Sequence, residues 1–157
     1  MDAKTKSIIA KVTPLAQNKD HLEVIKLLKQ SVQGGQKNEI ILGLLASSYA
    51  ETGMKEKAKS CFLEILQTNK NNYLALFQMG MLEFNDRQFS DAIDNWEAVA
   101  AQPTDFIANY WIARSYMELN SPQQAKPYIH NASNRVPARH DLKSSISSLA
   151  VNVSGEH

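Results

Sequence analysis

Tyr73 to Pro103 read YLALFQMGMLEFNDRQFSDAIDNWEAVAAQP. Apolar residues recur at helical spacing on both sides of a short polar turn, Asn85-Asp86-Arg87-Gln88. One helix cannot hide both stripes, so the two halves must fold back on each other as an antiparallel hairpin. Gly80 and Ala92 fall on the inward stripes, flanked by Leu76, Met79, Phe89 and Trp96. Small residues there let two helix axes approach closely, and the large ones fill the space on either side.

The same pattern recurs in both directions along the chain. Upstream by 34 residues, Ala58 stands for Ala92, Phe62 for Trp96, and Gly53 occupies the turn. Downstream by 33, the pattern carries Ala113, Tyr116, Ala125 and Ile129. A helix-turn-helix repeated at this period is the mark of a stacked array. It resembles the tetratricopeptide repeat (TPR) family over about residues 39–137, with a weaker copy toward the N-terminus. The residues that carry the resemblance are Leu45, Ala46, Tyr49, Gly53, Ala58 and Phe62, then Met79, Gly80, Phe89, Ala92 and Trp96, then Ile112, Ala113, Tyr116, Ala125 and Pro137. Three positions depart from the family pattern. Glu83 replaces an aromatic, Asn109 a Trp or large apolar residue, and Arg87 a turn glycine.

The resemblance implies an all-α fold, a right-handed α-solenoid of about four stacked helix-turn-helix hairpins plus a C-terminal capping helix. The expected organisation is a single domain over 1–157. It comprises a divergent hairpin at 5–33, repeats at 39–70, 73–103 and 106–137, a capping helix at 140–151, and a disordered tail at 152–157.

Local signals fit this layout. Asp20 and Asn38 are N-cap candidates, the Asn71-Asn72 pair can serve Tyr73, and Gly34-Gly35 makes a flexible connection. Pro14 either sits in the first turn of a helix capped by Thr13 or kinks one begun earlier. Ser121-Pro122 reads as an N-cap with a first-turn proline, and Pro127 bends or delays the same helix. In the last helix Leu142, Ile146 and Leu149 share a face, with serines on the other, as a terminal unit requires for solubility.

Composition narrows the function classes. With 43% hydrophobic residues in 157, the chain can bury a core. Seventeen basic and sixteen acidic residues nearly cancel, which argues against a nucleic-acid surface. The single cysteine, Cys61, excludes an internal disulfide and a cysteine-based zinc site, and suits a reducing compartment. It reads as a small buried hydrophobe rather than a reactive thiol. The N-terminal segment holds only the short apolar run Ile8 to Ala10, and no segment approaches the roughly 18 apolar residues of a membrane span. A cytoplasmic protein without direct membrane insertion is expected.

Catalytic and cofactor chemistry finds no support. The four histidines, at 21, 130, 140 and 157, form no H-x-x-x-H pair. No glycine-rich loop ends in Gly-Lys-Ser/Thr. Asp91, Asp94 and Glu97 read as a solvated helix face, and so does the basic group Arg135, Arg139, His140 and Lys143. Asn131 and Asn152 begin glycosylation-type triplets that carry no meaning without secretion. No metal, cofactor or catalytic residue is therefore expected, and the chain reads as a non-enzyme.

In the TPR family the first helix of each hairpin lines the concave wall. Carried over, this places Phe77, Met81 and Phe84 of the third hairpin, and Tyr110, Arg114 and Met117 of the fourth with Trp111 at the margin, in a partner-binding groove. Gly43, Ser47 and Ala50 make it shallow in the second hairpin. Large aromatic and methionine surfaces anchor peptides. Some family members hold a terminal carboxylate with lysines, asparagines and arginines; here only Arg114 and Asn85 could do so, which favours an apolar, aromatic-rich ligand. The layout is also similar to bacterial secretion chaperones that hold an unfolded client. The expectation is a non-catalytic protein- or peptide-binding adaptor or chaperone-like module. The alternative is a self-assembling scaffold, a homo-oligomer organising a larger complex.

Overall fold

The computed structural model describes residues 1–100 and 105–155. Among these, helices are the only regular elements, in the order α1 (Ala3–Gln17), α2 (His21–Gln33), α3 (Glu39–Glu51), α4 (Lys55–Thr68), α5 (Tyr73–Asn85), α6 (Phe89–Ala100), α7 (Phe106–Glu118), α8 (Pro122–Arg135) and α9 (Lys143–Ser154). The chain divides into two compact units, Met1–Ala75 and Leu76–His157, so the first turn of α5 belongs to one and its remainder to the other.

The first unit joins α1 to α2, α2 to α3 and α3 to α4. Its core includes Val12, Val24, Leu28, Ile41, Ala46, Ala58, Phe62 and Ile65, all nearly or wholly buried. The second unit packs α6 on α7, α7 on α8 and α8 on α9. Tyr110, Ala113, Ala125, Ile129, Ala132, Val136, Ile146 and Val153 form one apolar cluster there.

One packing rule runs through the hairpins. Ala58, Ala92 and Ala125 have no exposed surface. Trp96 is also wholly buried, and its ring lies against the backbone of Gly80. A Cβ on Gly80 would fall 2.8 Å from Trp96 Cδ1 and closer still to Nε1 and Cε2. The indole N–H donates to the Phe77 carbonyl at 3.1 Å, which locks the ring over this gap. In the repeat register the matching pairs are Val12 with Leu28, Ala46 with Phe62, and Ala113 with Ile129. From Ala46/Phe62 to Gly80/Trp96 the first-helix residue shrinks as its partner grows, whereas Ala113/Ile129 and Val12/Leu28 do not follow this trend, since leucine and isoleucine are equal in volume.

The turns repeat as closely. Lys19, Gly53, Arg87 and Asn120 each take a left-handed conformation, with φ of 60°, 77°, 63° and 53°. The next residue in each case donates its N–H to a carbonyl five positions back: Asp20 to Leu15, Met54 to Tyr49, Gln88 to Glu83 and Ser121 to Tyr116, all at 2.8 Å. These are Schellman closures of the first helices. Arg87 adopts the glycine conformation despite its Cβ, and its guanidinium lies 5.4 Å from the Phe89 ring.

Helix starts are capped at matching positions. Asn38, Asn72 and Asp105 accept from the N–H of Ile41, Ala75 and Ala108 at 3.0, 2.9 and 2.7 Å. Asp20 caps α2 through the Glu23 N–H at 3.4 Å.

One open alternative is decided and two expectations change. Helix α1 begins at Ala3 under the Asp2 cap, so Pro14 lies inside it and Thr13 is no cap; its hydroxyl donates to the Ile9 carbonyl. Ser121 occupies the N-cap position of α8 without capping it, because its hydroxyl donates to the Leu119 carbonyl instead. The last helix starts at Lys143 and continues through Ser154, so Asn152–Ser154 are not a disordered tail. The apolar stripe of Ile146 and Leu149 extends to Val153, which is buried in the core, and Gly155 at φ 74° closes the helix. Residues 101–103 of the third repeat and 156–157 of the tail lie outside the described residues.

Two stability outcomes follow. Gly80→Ala lowers the thermal midpoint by the equivalent of about 1–3 kcal/mol through overpacking. Adding Trp96→Phe, which recreates the Ala46/Phe62 pairing of the preceding repeat, recovers most of that loss in a double-mutant cycle; simple additivity would refute the size-matching rule. At the turns, Gly53→Ala costs about 1 kcal/mol, whereas Lys19→Gly leaves stability within about 0.5 kcal/mol of the parent in thermal denaturation, because relief of left-handed strain offsets added unfolded-state entropy.

Candidate partner-binding surface

All seven candidate residues fall in the second unit, on α5 and α7. Phe77, Met81, Phe84, Trp111, Arg114 and Met117 are half-buried, and Tyr110 is buried at 5% exposure. Helical spacing of four and three places Phe77, Met81 and Phe84 on one face of α5. The rings form a continuous series. Phe77 and Phe84 lie 6.2 and 6.0 Å from Trp96, Phe84 and Trp96 lie 5.2 and 5.9 Å from Trp111, and Trp111 lies 5.3 Å from Tyr110. Phe89 adds an edge contact to Phe84 at 5.1 Å.

The surface therefore differs from an open aromatic wall. Tyr110 belongs to the core that α9 completes, and Trp111 and Met117 pack partly against that same core. Phe84 stands among three other rings and beneath Arg114, whose guanidinium lies 5.4 Å from the centres of both Phe84 and Trp111. Such stacking keeps the charge attached to the apolar surface while its N–H edge remains available. Asn85 is exposed at the end of α5.

The departures from the repeat pattern have local partners. Glu83 is buried and accepts from Asn95 Nδ2 at 2.7 Å. Asn109 is 2% exposed, donates to the Asp105 carbonyl at 2.7 Å and accepts from Asn131 Nδ2 at 3.4 Å. Both replace apolar filling with paired polar contacts, which is what a buried amide or carboxylate requires.

In the first unit Gly43 is buried, with Leu74 Cδ2 3.5 Å from where its Cβ would stand, and Ser47 donates to the Gly43 carbonyl. A larger concavity of about 900 Å³ lies among α1, α2 and α3, bordered by Val12, Ala16, Leu22, Leu44, Ser48 and Glu51. Sequence reasoning did not find it. Two of its three walls are α1 and the start of α2, where the repeat pattern is faintest, and Leu22 beside it is 65% exposed.

Cys61 is half-buried rather than buried; burial raises its thiol pKa, Glu64 raises it further and Lys37 opposes. That is the reverse of an activated thiol. Tyr128 donates to Glu97 Oε1 at 2.8 Å, and burial first, then that hydrogen bond, holds its phenol well above the usual tyrosine range. Among the described residues no three His, Cys, Asp or Glu side chains are grouped to hold a metal, and no helix is long and apolar enough to cross a membrane.

The "Tetratricopeptide repeat" family description matches residues 41–72, which span α3, α4 and the approach to α5. The structure superposes on helical-hairpin proteins over nearly its whole length. MamA from Desulfovibrio magneticus RS-1, residues 41 to the end, is 19% identical with a TM-score of 0.78, covering 99% of this chain and 96% of that one. Residues 41–72 thus match one tetratricopeptide repeat, and the chain as a whole shares the fold of these proteins. A second MamA structure gives a TM-score of 0.81 at 17% identity, covering 99% and 85% of the two chains. A tetratricopeptide repeat protein from Parabacteroides merdae ATCC 43184 gives 0.81 at 15% identity, covering 96% of this chain and 60% of the other. No curated protein matches at the sequence level. The fold class of this chain is all-α, as the repeat pattern implies.

The Tyr128 contact makes a pH prediction. The folded phenol stays neutral above the ordinary tyrosine value of 10.0, while unfolded tyrosine ionises there. Stability from this group is thus complete below pH 10 and declines as pH rises further. Tyr128→Phe should flatten the alkaline decline in thermal midpoint, only in part because Tyr49 and Tyr116 are shifted the same way. An unchanged slope would refute it.

Proposed function

We propose that this protein is a non-catalytic interaction module, an adaptor or chaperone-like holder. It grips an apolar segment of a partner protein on the α5 and α7 faces of its second unit. The observation that carries this reading is the half-buried series Phe77, Phe84 and Trp111 with Arg114 stacked on it. A ring system already packed on one side offers contact area with little ordering cost, the condition under which aromatic anchors bind well. Met81 and Met117 flank it with flexible, polarisable side chains that adapt to irregular partners. The reading places the protein in the cytoplasm, in keeping with its single, half-buried cysteine.

Tyr110 is too buried to serve as the main anchor, so the informative variant spares it. Met81→Ala with Met117→Ala leaves Trp96 and Tyr110 in place. A partner recovered by affinity purification from the native cell should bind this variant at least about tenfold more weakly by calorimetry, the scale of a lost anchor pair, with unchanged circular dichroism. Equal affinity would remove these faces from the interface.

A second reading, self-assembly, draws support from the first unit, where Ile40, Tyr73 and Leu74 are 41–47% exposed. Exposed apolar groups of this kind mark contact surfaces. Light scattering over a range of concentrations separates the readings, since a strict monomer excludes the second.

A further inference from the structure

Between α7 and α9, within the second unit, lies a cleft of about 450 Å³. Arg114 and Glu118 border it from α7; Ser144, Ser145, Ser148 and Asn152 border it from α9. The serines of α9 divide into two kinds. Ser147 and Ser154 donate to carbonyls of their own helix, Lys143 at 3.0 Å and Val151 at 2.9 Å. The side chains of those on the cleft, like that of Asn152, make no hydrogen bond to another group among the described residues. Their donors are thus unspent on the wall that faces Arg114.

Arg114 is unspent in the same sense. Its guanidinium is held over Phe84 and Trp111, and no carboxylate among the described residues pairs with it, including Glu118 one turn further along α7. A half-buried cation fixed by stacking, opposite hydroxyl and amide donors, is an arrangement that favours an anion with two acceptor atoms. Glu118 at the same cleft weighs against a dianion such as phosphate and leaves a singly charged carboxylate as the better fit. Met117 and Leu149 complete the lining with apolar surface.

We infer that this cleft is a subsite for an aspartate or glutamate side chain of the partner, flanked by apolar residues in an extended segment, with Arg114 and the α9 hydroxyls as its donors. The inference rests on the partner-binding reading above and supplies the chemistry of one anchor. It also gives α9 a role beyond covering the core, because the serine face expected to meet only solvent contributes to recognition.

The test uses the full chain, nitrogen-15 labelled, titrated by nuclear magnetic resonance with two short peptides blocked at both ends. One is centred on Leu-Glu-Leu and the other on Leu-Gln-Leu. The glutamate peptide should bind at least about tenfold more tightly, as expected for a charge-assisted pair. It should shift amides in 110–118 and 143–153, and lose its advantage at high salt and in Arg114→Gln. Ser144→Ala with Ser148→Ala should weaken it several-fold with no change in thermal midpoint. Equal affinity of the two peptides, no binding by the glutamate peptide, or shifts confined to other helices would overturn the subsite. Tighter binding of inorganic phosphate at the same amides would overturn the carboxylate assignment. A glutamate preference mapped to the cleft, beside a native partner indifferent to the Met81/Met117 variant, would overturn the wider groove alone.

Discussion

Room at one level of each hairpin is the constraint on which the rest of the structure depends. Trp96 is fully buried because Gly80 has no side chain, and its indole N–H is satisfied by the Phe77 carbonyl of the same facing helix. At the matching register positions the other hairpins carry Ala46 and Phe62, Ala113 and Ile129, and Val12 and Leu28, all buried. Close packing penalises both a void and an overlap, so the size of Trp96 and the absence of a side chain at Gly80 depend on each other. Fixing that contact fixes the helix crossing, and the crossing decides which residues of the first helix are left at the surface.

The turns make the register insensitive to sequence detail. Four turn residues adopt the left-handed region although only Gly53 is glycine. Lys19, Arg87 and Asn120 tolerate it because the following N–H closes each helix on a carbonyl five residues back. Strain of about 1–2 kcal/mol at such a position is acceptable where two helices packed along their lengths over-determine the turn. Arg87 in a glycine position therefore changes the energy of the third hairpin and not its geometry.

The candidate surface inherits its chemistry from this packing. Trp96, anchored from behind by Gly80, supports Phe77 and Phe84 from below, and Trp111 extends the series to α7. Arg114 lies across two of these rings instead of extending into solvent. A cation attached to an apolar platform puts charge and contact area at one place, and serines of α9 border the cleft beside it.

Periodicity sufficed to read the hairpins, the buried alanines at 58, 92 and 125, and the caps at Asp20, Asn38 and Asn72, because each depends on contacts within a turn or on a repeated spacing. The start of α1 was not legible, since a cap at Asp2 and an internal Pro14 compete with the equally regular alternative at Thr13. The end of α9 was not legible either, because Asn152 and Ser154 look like tail until Val153 is seen in the core. Sequence by itself determined the helical repeat and the small positions that hold it in register. Only the tertiary structure decided that Tyr110 is buried, that Arg114 is stacked and that serines of α9 face a cleft, since these depend on how far one helix reaches across another, a distance no spacing along the chain encodes.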